Sequence, residues 1–162
     1  MDILDAPPPP DSLIAEYAQR DGYYTDCFEA EINTAVTLEQ LICAFYTQPL
    51  FRAERFVLRV LARSPSTDAD VRALAAGSQA EFAVWTVAAR RPTEILMKDR
   101  SGRTLSWLQT DGQQLRFGSV VVPVKGRRGE LTLGPVFHSL LSAHKFYSRA
   151  LLVGAVRRVE KV

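Results

Sequence analysis

Residues 81–124 read "EFAVWTVAARRPTEILMKDRSGRTLSWLQTDGQQLRFGSVVVPV", and this stretch decides the fold. Four runs within it, "EFAVWTVAA", "EILMKD", "TLSWLQ" and "QLRFGSVVVPV", have a period of two. That period places successive side chains on opposite faces of a strand. Arg91-Pro92, Ser101-Gly102 and Asp111-Gly112 separate the runs. Glycine accepts the positive φ that a tight hairpin turn requires, so the pairs containing it mark chain reversals. The stretch therefore predicts an antiparallel meander.

If each hairpin has a two-residue loop, the register fixes which side chains share a face. One face then collects Phe82, Val84, Thr86, Ile95, Met97, Ser106, Leu108, Leu115 and Phe117. It is the expected concave side, covered by helix. The other collects Trp85, Val87, Leu96 and Trp107 beside Glu94, Lys98 and Arg116, with Trp107 opposite Arg116. Left uncovered, that face is an apolar patch, which makes Trp85, Leu96, Trp107 and Arg116 candidate interface residues for a homodimer.

Beyond the meander, "PVFHSLLSAHKFYSRALLVGA" (135–155) has helical spacing, and Pro135 suits a first turn. Phe137, Leu140, Leu141, His144, Tyr147, Ser148, Leu151, Leu152 and Ala155 form one stripe. His138 points about 120° from His144 at helical periodicity, which disfavours a two-histidine metal site. His144 has three open roles: a hydrogen-bonded core histidine, a polar contact in a ligand pocket, or a catalytic acid or base. The pocket candidates are Thr86, Ile95, Met97, Ser106, Leu108 and Phe117 on the sheet, with His144, Tyr147 and Ser148 on the helix.

Before the meander, "GYYTDCFEAEI" (22–32) alternates as a first strand. "TLEQLICAFYTQ" (37–48) opens with the capping box Thr37 and Gln40, and Pro49 ends that helix or starts the next. "LFRAERFVLRVLA" (50–62) is a second helix, and "STDADVRALAAG" (66–77) a third, capped at Ser66 or Thr67 and stopped at Gly77. "APPPPDS" (6–12) reads as an extended arm that does not pack. The expected organisation is a flexible proline-rich arm over residues 1–12 and one domain over 13–162.

A chain of 162 residues, 47% hydrophobic, can build one real core. Cys27 and Cys43 are too few for a disulfide scaffold and lack zinc-site spacing. The acidic "MDILDAPPPP" is not a signal peptide, and no run reaches membrane-span length, so a cytoplasmic protein is expected. Residues 1–33 are strongly acidic and residues 125–162 strongly basic, a polarity suited to internal or subunit pairing. Nucleic acid is disfavoured, because neither an RNA-binding aromatic motif nor a DNA-reading helix pair is present. Nucleophile-elbow, zinc-protease and phosphate-loop motifs are absent, so no cofactor, metal or catalytic residue is assigned.

The order strand, helices, meander, long helix resembles the START-like helix-grip superfamily, the birch-allergen type, in which a curved sheet wraps a C-terminal helix. More narrowly, "FAVWTVAARRPTEILMKDRSGRTLSWL", "LRFGSVVVPV" and "HKFYSRALL" look like an uncharacterised bacterial family of that superfamily. The resemblance implies an α+β helix-grip fold and a pocket for a small hydrophobic or lipid-like molecule between sheet and helix. Two alternatives stay open: an enzyme of cyclase or hydrolase type in the same pocket, and a dimeric interaction subunit.

Overall fold

The structure is a computed structural model that describes residues 2–61, 63–126 and 129–161. Arg127 and Arg128 of the basic C-terminal region, and the side chains of His138 and Leu140, lie outside the described residues. The fold is α+β, a seven-stranded antiparallel sheet with a long C-terminal helix in a helix-grip-like arrangement.

In chain order the elements are β1 (Leu4–Asp5), α1 (Ala15–Ala18), β2 (Tyr24–Glu31), α2 (Leu38–Thr47), α3 (Pro49–Leu61) and α4 (Asp68–Ala75). Then come β3 (Glu81–Phe82), β4 (Trp85–Arg91), β5 (Glu94–Asp99), β6 (Thr104–Thr110), β7 (Gln114–Val121), β8 (Val124–Lys125), β9 (Leu131–Thr132) and α5 (Pro135–Val159). The sheet order is β1-β2-β7-β6-β5-β4-β3, and β8 and β9 form a separate hairpin.

Local chemistry explains the helices. Thr37 accepts from the Gln40 N–H at 3.2 Å while Gln40 accepts from the Thr37 N–H at 2.8 Å, closing the expected capping box. Pro49 starts α3, and Thr67 caps α4 with Asp70 as the reciprocal partner. Pro135 occupies the first turn of α5, where its missing N–H would have had no partner.

One face of the sheet carries the main core. Ile95, Met97, Leu108, Leu115 and Phe117 meet Leu41, Ile42, Phe45 and Tyr46 of α2, Phe51 of α3 and Leu151, Leu152 and Val156 of α5. The Phe45 and Phe117 rings lie 4.8 Å apart and those of Tyr46 and Phe82 5.2 Å apart, within the range of favourable aromatic pairs. Helix α2 therefore occupies the space beneath the sheet.

The β5–β6 register is as expected, with Ile95 opposite Leu108 and Met97 opposite Ser106. At β6–β7, Leu108 lies opposite Phe117 because the tight turn is Gly112-Gln113. That shift of two residues keeps every side chain on its expected face. Around β4 the expectation fails. The chain turns back between Phe82 and Trp85 with Ala83 at φ 53°, Arg91 pairs with Glu94, and a bulge falls between Val87 and Ala89. The offset becomes odd, so Trp85 and Val87 pack on the core and Thr86 is exposed on the opposite side. Trp85 is not an outer-face residue, and Thr86 is not a pocket residue.

The opposite face is covered. Ile14, fully buried, seats on Cys27, Leu96, Leu105, Trp107 and Val120. Glu94, 2% exposed, accepts hydrogen bonds from the Leu13 backbone N–H and the Trp107 indole, each at 2.8 Å, and from Arg91 at 2.9 Å. A Cβ at Gly118 would stand 2.9 Å from Ile14 Cδ1 and 2.7 Å from the Asp26 carbonyl oxygen, so only glycine lets this layer close. Leu96 and Trp107 are thus core residues of a second layer. Arg116 bonds to Glu29 across the sheet, and the partner opposite Trp107 is Gly118.

In place of a free arm, the proline-rich start is tied down at several points. Leu4 and Asp5 add a strand beside Glu29 and Phe28, the Ala6 N–H bonds to the Cys27 carbonyl, and Ser12 is buried. Prolines lack the N–H that a central strand needs, yet they permit an extended segment that delivers Leu13 and Ile14 to the outer face.

Candidate functional site

His144 lies on the inner side of α5 with its side chain 29% exposed. Its Nε2 is 2.8 Å from Ser119 Oγ on β7 and 3.1 Å from Asp26 Oδ2 on β2. Ser119 donates its hydroxyl to Asp26 Oδ1 at 2.6 Å and its backbone N–H to the same oxygen at 2.9 Å. The Tyr24 hydroxyl donates to Oδ2 at 3.0 Å. Because the serine proton is directed at the carboxylate, Nε2 carries hydrogen and donates to Asp26.

Burial alone would raise the Asp26 pKa. The hydrogen bonds from His144 and Ser119, the histidine charge and the Tyr24 hydroxyl outweigh it and hold the carboxyl below its usual range. Burial, followed by the charge and hydrogen bond of Asp26, pushes the Tyr24 hydroxyl well above the usual tyrosine range. A serine nucleophile relay places the imidazole between hydroxyl and carboxylate and uses both ring nitrogens. Here one nitrogen meets both groups and the hydroxyl bonds directly to the carboxylate, so the trio clamps α5 to β2 and β7.

The structure separates the other expected pocket residues. Ile95, Met97 and Leu108 are fully buried and Phe117 is 5% exposed, all packed within the main core. Ser106 is half-buried, opposite Ser119 and Met97. Tyr147 is half-buried against the same core, and Ser148 is buried with its Oγ lacking a hydrogen-bond partner among the described residues. The sheet side of α5 is packed.

The open space lies on the other flank of α5. Phe146, Arg149, Ala150, Val153, Gly154 and Arg157 recur at helical spacing and, with Arg158 and Lys161, form one wall of a groove of about 810 Å3. Gln48, Pro49 and Leu50, at the junction of α2 and α3, form the other wall, and Ile3 closes it. Phe146 is 76% exposed and Leu50 38%. Arg149 is engaged by Asp5 at 2.6 Å, whereas Arg157, Arg158 and Lys161 have no ion pair among the described residues. Gln48, 1% exposed, donates through Nε2 to the carbonyls of Phe45 at 3.0 Å and Leu151 at 2.8 Å.

Sequence reasoning centred on the sheet-facing stripe and missed this flank. Its mark was there: Phe146, Ala150 and Val153 are apolar off the stripe, so the helix needs cover on more than one side. Asp26 and Ser119 were missed as well, because they meet His144 from distant strands.

Burial pushes the Cys27 thiol up to about 12 and also raises that of Cys43, so neither is a thiolate nucleophile at neutral pH. Among the described residues no group of three or more His, Cys, Asp or Glu side chains is placed to hold a metal ion, and no helix is long and apolar enough to cross a membrane. No family model, no curated protein and no solved structure matches the chain.

Proposed function

We propose that the chain binds a small lipid-like molecule with an anionic end, and that it does so in the groove beside α5. The observation that carries the proposal is the lining: an apolar floor of Leu50, Phe146, Ala150 and Val153 that ends at three cations without ion-pair partners among the described residues. Such a site removes an acyl chain from water while its charge meets Arg157, Arg158 and Lys161. From Phe146 to Arg157 the helix rises about 17 Å, the length scale of a medium acyl chain. The START-like resemblance also implies a small hydrophobic ligand, but one held between sheet and helix, whereas this groove lies on the other flank of α5; the helix-grip-like arrangement supports membership of that superfamily. The protein works in the cytoplasm on this view, in keeping with its two free thiols.

A chain-length series tests the proposal. Each methylene removed from water contributes about 0.8 kcal/mol at full burial, so in a half-open groove every two added carbons should tighten Kd several-fold. Titration calorimetry of octanoate, decanoate, dodecanoate and hexadecanoate should show this trend, levelling off when the chain outgrows the groove. Dodecanol should bind more weakly than dodecanoate. Phe146→Ser, at an exposed site, should weaken dodecanoate binding without lowering the melting temperature. Absence of binding by every acid, or a Kd independent of chain length, overturns the proposal.

A further inference from the structure

We infer that the groove's ligand carries a hydrogen-bond donor, a hydroxyl or amide N–H close to its anionic end, and that Gln48 Oε1 accepts it. The inference rests on the groove being a site for an anionic amphiphile and states which kind.

Gln48 is almost wholly buried, yet only half of its amide is satisfied. Donation from Nε2 to the Phe45 and Leu151 carbonyls fixes the amide's orientation, since the opposite flip would set oxygen against oxygen. Oε1 is therefore the free acceptor, and among the described residues no group donates to it. Nor is it among the side-chain atoms sealed from solvent without a partner, and Gln48 lines the groove, so Oε1 opens into that space.

The opposite wall is shaped around this oxygen. A Cβ at Gly154 would stand 1.7 Å from Gln48 Oε1, so a side chain there and the observed amide exclude each other. A glycine in a helix interior weakens the helix, and here it leaves room for an acceptor at the floor of the groove. A buried acceptor without a donor bears a desolvation cost that a ligand donor removes.

The position defines the chemistry. Gly154 precedes Arg157 and Arg158 by about one helical turn, roughly 5 Å along the axis. A donor at Gln48 Oε1 and an anion at the arginines therefore belong to the same end of the ligand. A 3-hydroxy fatty acid and an N-acyl amino acid share this arrangement, a donor near a carboxylate with an acyl chain running towards Phe146. A plain fatty acid lacks the donor, and a terminally hydroxylated one carries it at the wrong end.

The experiment is titration calorimetry on the full chain with dodecanoate, 3-hydroxydodecanoate, 12-hydroxydodecanoate and N-dodecanoylglycine. The 3-hydroxy acid or the N-acylglycine should bind roughly tenfold more tightly than dodecanoate, the worth of one buried polar group satisfied. The 12-hydroxy acid should show no such gain. An advantage confined to the 3-hydroxy acid assigns a hydroxyl, and one confined to N-dodecanoylglycine assigns an amide. Equal Kd values for dodecanoate and both donor-bearing ligands overturn the inference while leaving the amphiphile site standing; failure of all four to bind overturns both. In Gln48→Met, which matches the length and removes the acceptor, the ratio of the dodecanoate Kd to that of the preferred donor-bearing ligand should fall to about one, whatever the absolute affinities become. Should that variant not fold, the comparison among ligands on the native chain decides alone.

Discussion

Replacing Gly154 by alanine sets two effects of opposite sign against each other. In an exposed helix interior the change stabilises by about 1 kcal/mol, because alanine restricts the unfolded chain and glycine does not. Here the added Cβ would lie 1.7 Å from Gln48 Oε1 and 2.8 Å from its Cδ. The amide must leave, and with it go the hydrogen bonds to the Phe45 and Leu151 carbonyls. Two buried hydrogen bonds lost, with polar groups left behind, cost about 2–4 kcal/mol. The net expectation is destabilisation by about 1–3 kcal/mol, a fall in Tm of roughly 2–10 °C for a chain of this size. Thermal and urea unfolding followed by circular dichroism measure it. Gln48→Ala supplies the internal control: in that background Gly154→Ala should be neutral or stabilising, so the two changes should be strongly non-additive. A rise in Tm for Gly154→Ala in the native background, or simple additivity, would refute the packing of Gln48 on Gly154.

Three further perturbations test the layers around the groove. His144→Leu removes a donor from buried Asp26 and should destabilise by about 1–3 kcal/mol in urea unfolding at neutral pH. The folded-state pKa of Asp26 is depressed, so its contribution is fully present above the ordinary carboxylate range and is lost as pH falls below about 4; the difference between native and variant should shrink there. Glu94→Ala cuts the bonds to the Leu13 N–H, Trp107 and Arg91 and should speed proteolysis within residues 1–14, read by mass spectrometry; an unchanged cleavage rate would show that the segment is held by other means. Ala83→Gly relieves a left-handed backbone at φ 53° and should leave stability unchanged or raise it by up to about 1 kcal/mol, whereas a lower urea midpoint would contradict the strain.

Legibility followed the range of the interactions. The Ser101-Gly102 turn and the alternation beside it set the β5–β6 register, since a hairpin is specified by neighbours. The turn at Ala83-Val84 uses no glycine, and the bulge near Val87 leaves no mark in the pattern, so the faces of β4 were inverted. Four prolines drew attention from Leu13 and Ile14 behind them, the residues that bind the segment to Trp107. His144 stood out on its stripe. Its partners could not, because Asp26 is 118 residues away and Ser119 reaches it only through the sheet order. The filling of the concave side by α2 was hidden for the same reason: periodicity assigns a helix its apolar face without saying which sheet face receives it.

The placement of β2 between β1 and β7 constrains how the chain is born. Asp26 and Ser119 bond across 93 residues, and Trp107 waits for Ile14 across a similar distance. During synthesis β2 leaves the ribosome with β1 already made and the partner of its other edge, β7, still to come, while α2 and α4 can cap and pack locally. Only when β7 follows β6 can β2 pair on its second edge and the segment before it find its seat, so the slow step joins strands whose contacts lie 93 residues apart. Until then an apolar strand edge is exposed to other nascent chains, and the helices are the first structure available to shield it.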